Sequence, residues 1–321
     1  MRRKIKEVIC IIMTLAIIIS AHLSFPITAK AATTNPPSQI IVGADSLYDS
    51  SLGLWRTVGN GWKYNTKTNT LYLHGSFYQT QQNTYSVVKV LGDINIVIDG
   101  PTIINNAQSY ILGIYVEGNC NLNLKDKLTI KSGGGIAVEN GKLNITGKGS
   151  VSITAKGSLY GGIFAKKAIT INGVPKVLVT STTMYGIHTN GGGITIKNSK
   201  ISSTGYVGGI AAFYGNLKIQ GKSGLTNVTA ISKAPNGAGI SVIKTNKTEL
   251  LGADAKTGSG KISVAKPLKV STPSRYSFKT TALMRYCIVN YSAGVTNKAY
   301  IKVKMYTATV SGKPVNRVII K

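Results

Sequence analysis

Acidic residues are scarce in this chain: 10 of 321 positions are Asp or Glu, against 38 Lys or Arg. The shortage limits the chemistry on offer. Glycoside hydrolysis uses paired carboxylates, and calcium-dependent elimination needs several of them plus a base. The early part of the repeat region described below has Asp93, Asp99, Glu117, Asp126 and Glu139 for such work. Histidine is rarer still at 3 residues, and His74 and His188 have neither metal-ligand nor triad spacing to other groups. No catalytic residue, metal ligand or cofactor is expected. Cysteine is equally thin, with Cys120 and Cys287 the two outside the first 31 positions. Two thiols do not build a disulfide framework, and Cys120, beside a strand, reads as a small ladder residue. Zinc-finger, RRM and helix-turn-helix patterns are missing, which excludes sequence-specific nucleic-acid binding.

Long apolar runs are missing too. Arg2, Arg3, Lys4 and Lys6 precede a short apolar stretch, Val8 to Ile19, and Ala29-Lys30-Ala31 fits a cleavage site before Ala32. Residues 1–31 therefore read as a signal peptide, and the protein as secreted or held at the cell surface. No run of 18 apolar residues follows, so no membrane span is expected after cleavage.

What is present is a repeat. A Gly-Ile step occurs at Gly113-Ile114, Gly135-Ile136, Gly162-Ile163, Gly186-Ile187, Gly209-Ile210 and Gly239-Ile240, at intervals of 22, 27, 24, 23 and 30 residues. Each of the first five steps is followed by an apolar-x-apolar triplet: Leu122-Asn123-Leu124, Leu143-Asn144-Ile145, Ile169-Thr170-Ile171, Ile194-Thr195-Ile196 and Leu217-Lys218-Ile219. Ile94-Asn95-Ile96 opens the series. The period within each unit is 2 and the turns are rich in Gly, Asn and Ser, so a unit is two or three short strands. No unit holds a long helical pattern, which argues against leucine-rich and helical repeats. Units of this length that stack parallel make a β-helix rising about 4.8 Å per turn. The expected fold is all-β: a single-stranded, right-handed parallel β-helix (a β-solenoid). Stacked on the Gly-Ile steps, Asn95, Asn123, Asn144, Thr170, Thr195 and Lys218 form one outward column of mutually satisfying polar side chains.

The ends differ. Residues 32–60 read as a tether. Trp62 and Tyr64 share one face of a strand and Leu71 and Leu73 one face of the next, a hairpin that caps the open end of a solenoid spanning 61–265. From Lys266 the period is lost, and 266–321 read as a small basic β element closing the other end. Charge is as uneven as structure. Without the first 31 residues the chain has 33 basic and 9 acidic side chains, with 13 lysines and no acid between Asn140 and Thr248, and 13 Lys or Arg and no acid after Asp254. A field of one sign points to polyanions, which for an exported protein means teichoic acid, anionic polysaccharide or other anionic glycans, or extracellular DNA. Plain colloidal solubility is the other reading.

Trp62-x-Tyr64, Thr70-Leu71-x-Leu73, Gly92-Asp93-Ile94-Asn95-Ile96-Val97-Ile98 with Gly100, and the Gly-Ile rungs together carry a resemblance over roughly residues 60–310. The chain resembles the secreted or wall-associated β-helix proteins of Gram-positive bacteria known as carbohydrate-binding-domain-containing. The resemblance implies a pectate-lyase-like solenoid and carbohydrate binding, and brings no site residues with it.

The candidate site comes from the register instead. The position after Ile brings Tyr115, Phe164 and His188 to one face, and Tyr110, Tyr160, Tyr185 and Tyr206 precede the Gly-Ile steps. Aromatic rings with lysines nearby suit an anionic sugar, though stacked tyrosines also shield a solenoid corner. Glu117 and Glu139 fall in one column with Lys166, which reads as a solvated turn column or a pair able to raise one carboxyl's pKa or bind a cation. The expected function is a surface binding or adhesion module for anionic polysaccharide. A β-helix lyase or hydrolase and a non-catalytic structural surface protein are the alternatives.

Overall fold

The computed structural model describes residues 37–243, apart from 50–52, 79–84, 158–159, 223 and 235–237, and beyond them the strand segments 262–265, 270–271, 290–291, 300–304 and 317–320. The expected signal peptide, Cys287 and the alternating stretch at Tyr276 lie outside the described residues. Among the described residues there is no helix, and the chain winds as a parallel β-solenoid of about six turns. Three sheets run along its axis. The first stacks Ser86–Leu91, Leu112–Val116, Gly134–Val138, Ile163–Ala165, Tyr185–Asn190, Gly208–Phe213 and Ala238–Ile243. The second stacks the start of Ile94–Asn105 with Cys120–Leu124, Leu143–Thr146, Ile169–Asn172, Ile194–Lys197, Leu217–Gln220 and Ile262–Ala265. The third stacks the end of Ile94–Asn105 with Leu128–Ser132, Ser150–Ala155, Lys176–Ser181, Lys200–Gly205 and Asn227–Ser232.

The period-2 pattern decides which side chains go inside. Ile, Val and Leu at alternate positions of all three sheets enter one continuous core, and on the second and third sheets the residues between them, apart from buried Val97, stay at least partly in water. The Gly-Ile steps mark the register: Val88, Ile114, Ile136, Ile163, Ile187, Ile210 and Ile240 lie one above the other. The glycine is needed for space. A Cβ on Gly113, Gly135 or Gly162 would collide with the core side chain of Ile130, Ile153 or Val179, which crosses from the third sheet. Just before this corner, Ser132, Ala155, Ser181, Gly205 and Ser232 form a register column of small residues. Ser203 and Ser232 donate to Gly209 O at 2.7 Å and Tyr206 O at 2.9 Å, which satisfies their hydroxyls inside the turn.

The outward polar column of the second sheet corrects the sequence reading. Asn95 pairs with Asn121, not Asn123, and Asn121 with Asn144, followed by Thr170, Thr195 and Lys218. Asn121 Nδ2 donates to Asn95 Oδ1 and Asn144 Nδ2 to Asn121 Oδ1, both at 2.9 Å. Asn123 lies one pair further on, between Val97 and Thr146. A slip of two residues keeps every side chain on its face, so the apolar pattern by itself does not separate the two registers.

The caps follow from edges that need covering. Trp62–Asn65 and Thr70–Tyr78 form the expected hairpin, with Trp62 opposite Leu73 and Tyr64 opposite Leu71. Thr70–Tyr78 then stacks parallel on Ile94–Asn105. Trp62 is buried, and its Nε1 donates to Asp45 Oδ2 at 2.8 Å. This bond reveals a second correction. From Gln39 onward the expected tether is built in: Gln39–Val42 runs antiparallel to Ser86–Leu91 and covers the first sheet's edge. At the other end Tyr300–Lys304 and Arg317–Ile320 add antiparallel to the second and third sheets.

Candidate functional site

The first sheet's outer face is where aromatic side chains meet. Phe164 and His188 are register neighbours, and Ala137 separates Phe164 from Tyr115. Tyr160 stacks on Phe164 at a centroid distance of 4.9 Å and 29°, and Phe164 reaches His188 at 4.9 Å. Tyr185 contacts His188 at 5.3 Å and Phe213 at 5.2 Å, the last edge to face. Five rings thus form an unbroken strip, spaced close to the ~4.8 Å rise of the rungs. Tyr115 packs against the cluster of Leu112, Ala137 and Phe164 at its N-terminal end.

Of the residues expected at the site, Tyr115, Tyr160, Phe164, Tyr185 and His188 are brought together. Tyr110 and Tyr206 are not: they are 51% and 48% exposed and stand in turns outside the strip. The reason is local. The residues before each Gly-Ile step belong to a turn whose length varies from rung to rung, so equal spacing from the step does not give equal position. Tyr160 shows how far the turns depart from strand geometry, with a left-handed φ of 54°. Phe213 was missed, although counting three residues past Ile210 puts it in the column of Glu117, Glu139 and Lys166.

That column is as expected: Glu139 N donates to Val116 O, Asn140 N to Glu117 O and Lys166 N to Val138 O, at 2.8–2.9 Å. Its chemistry is more than a solvated edge. The Tyr160 hydroxyl is held protonated by burial and by its hydrogen bond to the Glu139 carboxylate. Burial, then Glu139, then Glu117 raise the pKa of Tyr115. Glu139 Oε2 is buried without a hydrogen-bond partner. His188 is buried and its pKa is lowered to about 4, so it is neutral near pH 7, with Nδ1 also unpartnered. The strip therefore offers neutral phenols, ring edges and a carboxylate acceptor. Phe164 and His188 are 5% and 6% exposed, having spent their faces on neighbouring rings, so Tyr115, Tyr160, Tyr185 and Phe213 form the accessible layer.

Burial drives the Cys120 thiol up to about 12, which leaves it unreactive. Among the described residues no group of three His, Cys, Asp or Glu is placed to hold a metal ion, and no helix is long and apolar enough to cross a membrane. No family model, curated protein or solved structure matches the chain.

Proposed function

We propose that the protein is a secreted or cell-surface module that binds an anionic polysaccharide or cell-wall polymer, as the carbohydrate-binding β-helix proteins it resembles are expected to do. The observation that carries this reading is the unbroken ring strip from Tyr160 to Phe213 along the first sheet and the turn that leads into it. Phenol hydroxyls and ring edges held at the rung spacing pack along a saccharide and hydrogen-bond its hydroxyls, with the Glu139 carboxylate as a further acceptor. Glu117 and Glu139 make one end of the strip unfavourable for negative charge. The strip therefore takes the neutral part of a saccharide, and the protein's excess of lysines takes its anionic groups.

A glycan array probed at two salt concentrations tests the reading, with the wild type beside a variant carrying Tyr160→Asn and Tyr185→Ala. Asn suits the left-handed backbone at position 160. Each lost aromatic contact costs on the order of 1 kcal/mol, so binding to the array's best glycan falls by roughly tenfold or more. Unchanged affinity with a lowered melting temperature would make the strip a corner shield and remove it as a site.

A further inference from the structure

The corner between the second and third sheets is a surface of another kind. Its successive turns carry Lys125 and Lys127, then Lys148, Lys176, Lys197 with Lys200, and Lys222, all exposed. Backbone hydrogen bonds stack these turns. Gly149 N donates to Leu124 O at 2.7 Å, Gly173 N to Lys197 O at 3.0 Å, Lys200 N to Val174 O at 3.1 Å and Asn198 N to Gln220 O at 3.2 Å. The turns rise by about 4.8 Å each, so the lysines form a row parallel to the solenoid axis.

Among the described residues little neutralises this row. Asp126 is the acid in these turns, and its Oδ1 accepts from the backbone N of Lys127 at 2.6 Å. The ion pairs Arg56–Asp45 and His74–Asp99 lie near the N-terminal end and use none of these lysines. Successive turns lie about 4.8 Å apart at the backbone, less than the Debye length of about 8 Å at physiological salt, so repulsion between lysines along the row is only partly screened. A linear polyanion relieves it and gains the entropy of released counterions.

The composition of the row selects among polyanions. Residues 86–243 contain no Arg, whose planar fork makes bidentate bonds to carboxylate and phosphate alike, so the row reads charge and not the shape of the anion. Lysine acts as a point charge that meets a tetrahedral phosphate from any direction. The turns at 124–128, 146–150, 172–176, 197–200 and 220–222 also lack aromatic residues, so no platform for stacking nucleic-acid bases is present. We propose that this lysine row binds a flexible, base-free phosphodiester polymer laid along the solenoid axis. The proposal rests on the binding-module reading and gives the polymer's charged backbone a surface separate from the ring strip.

The test titrates poly(glycerol phosphate) into the secreted protein at several salt concentrations. One variant combines Lys148→Gln, Lys176→Gln and Lys197→Gln. A second combines Lys142→Gln, Lys156→Gln and Lys167→Gln, the same charge change at the other two corners of the solenoid. Losing three row contacts weakens binding on the order of 100-fold at 0.1 M salt and flattens the log–log salt slope by about 2. The second variant changes affinity only a few-fold through the general field. Equal losses in both variants overturn the row, as does tighter binding of single-stranded DNA or polygalacturonate than of the phosphodiester. A wild type that ignores poly(glycerol phosphate) while binding an array glycan through Tyr160 and Tyr185 sinks this proposal alone. Row-dependent polymer binding with no effect of the tyrosine variant sinks only the strip.

Discussion

The ring strip and the lysine row are built on the same stacked rungs, yet they treat their side chains in opposite ways. On the first sheet Phe164 and His188 are buried by their neighbours, so contacts within the protein use most of their surface. On the corner between the second and third sheets Lys148, Lys176 and Lys200 reach into water and touch no described carboxylate. A parallel stack brings like residues together wherever it runs. Aromatic groups brought together in this way gain contact energy, whereas lysines repel and need an external partner. The strip should therefore matter to stability as well as binding, and the row to binding alone.

The largest expected effect breaks the comparison if it fails. Phe164→Ala removes a ring held between Tyr160 and His188, and should lower unfolding stability by about 3 kcal/mol. Lys176→Ala should stay within about 0.5 kcal/mol of the wild type. Equal changes in denaturant midpoint would show that the two surfaces do not differ as described.

A similar magnitude is expected from acid. Burial depresses the His188 pKa to about 4 from the ordinary histidine value of 6.5. The unfolded chain then binds a proton that the folded one refuses, so stability is intact above pH 6.5 and lost as pH falls from there toward 4. The loss is on the order of 3 kcal/mol across that window. His188→Gln should flatten the part of the pH–stability curve between those values, measured by urea unfolding. A curve of unchanged slope would place His188 in contact with water.

The smallest effect sharpens the register. Asn121→Ala interrupts the amide ladder on both sides and should cost about 1 kcal/mol, because its two neighbours lose partners. Asn123→Ala, outside the ladder, should cost less than about 0.5 kcal/mol. The reverse order would restore the column read from the triplets alone.

Legibility varied in the same way along the chain. Trp62, Tyr64, Leu71 and Leu73 could be placed from alternation because a hairpin is local and its turn fixes the pairing. The Gly-Ile register was legible because a glycine forced by a steric collision cannot slide. The Asn column was misread by two residues because nothing local penalises that slip. Tyr110 and Tyr206 were misplaced because turn lengths between the third and first sheets vary, and a turn's path depends on the rung beneath it. The lysines were counted in the sequence, but their alignment in one row was not visible in a count.

The sequence alone therefore determined the solenoid class, the alternation of core and surface, the hairpin cap and the sign of the field. Those follow from periodicity, steric necessity and composition, each of which acts within a few residues or on the whole chain at once. Tertiary structure decided which of seven aromatic candidates share a strip, that Glu139 meets Tyr160, that Gln39–Val42 covers the first sheet's edge, and that one corner collects the lysines. Those depend on contacts between rungs more than 20 residues apart, where hydrogen bonds between stacked backbones fix what sequence spacing leaves open.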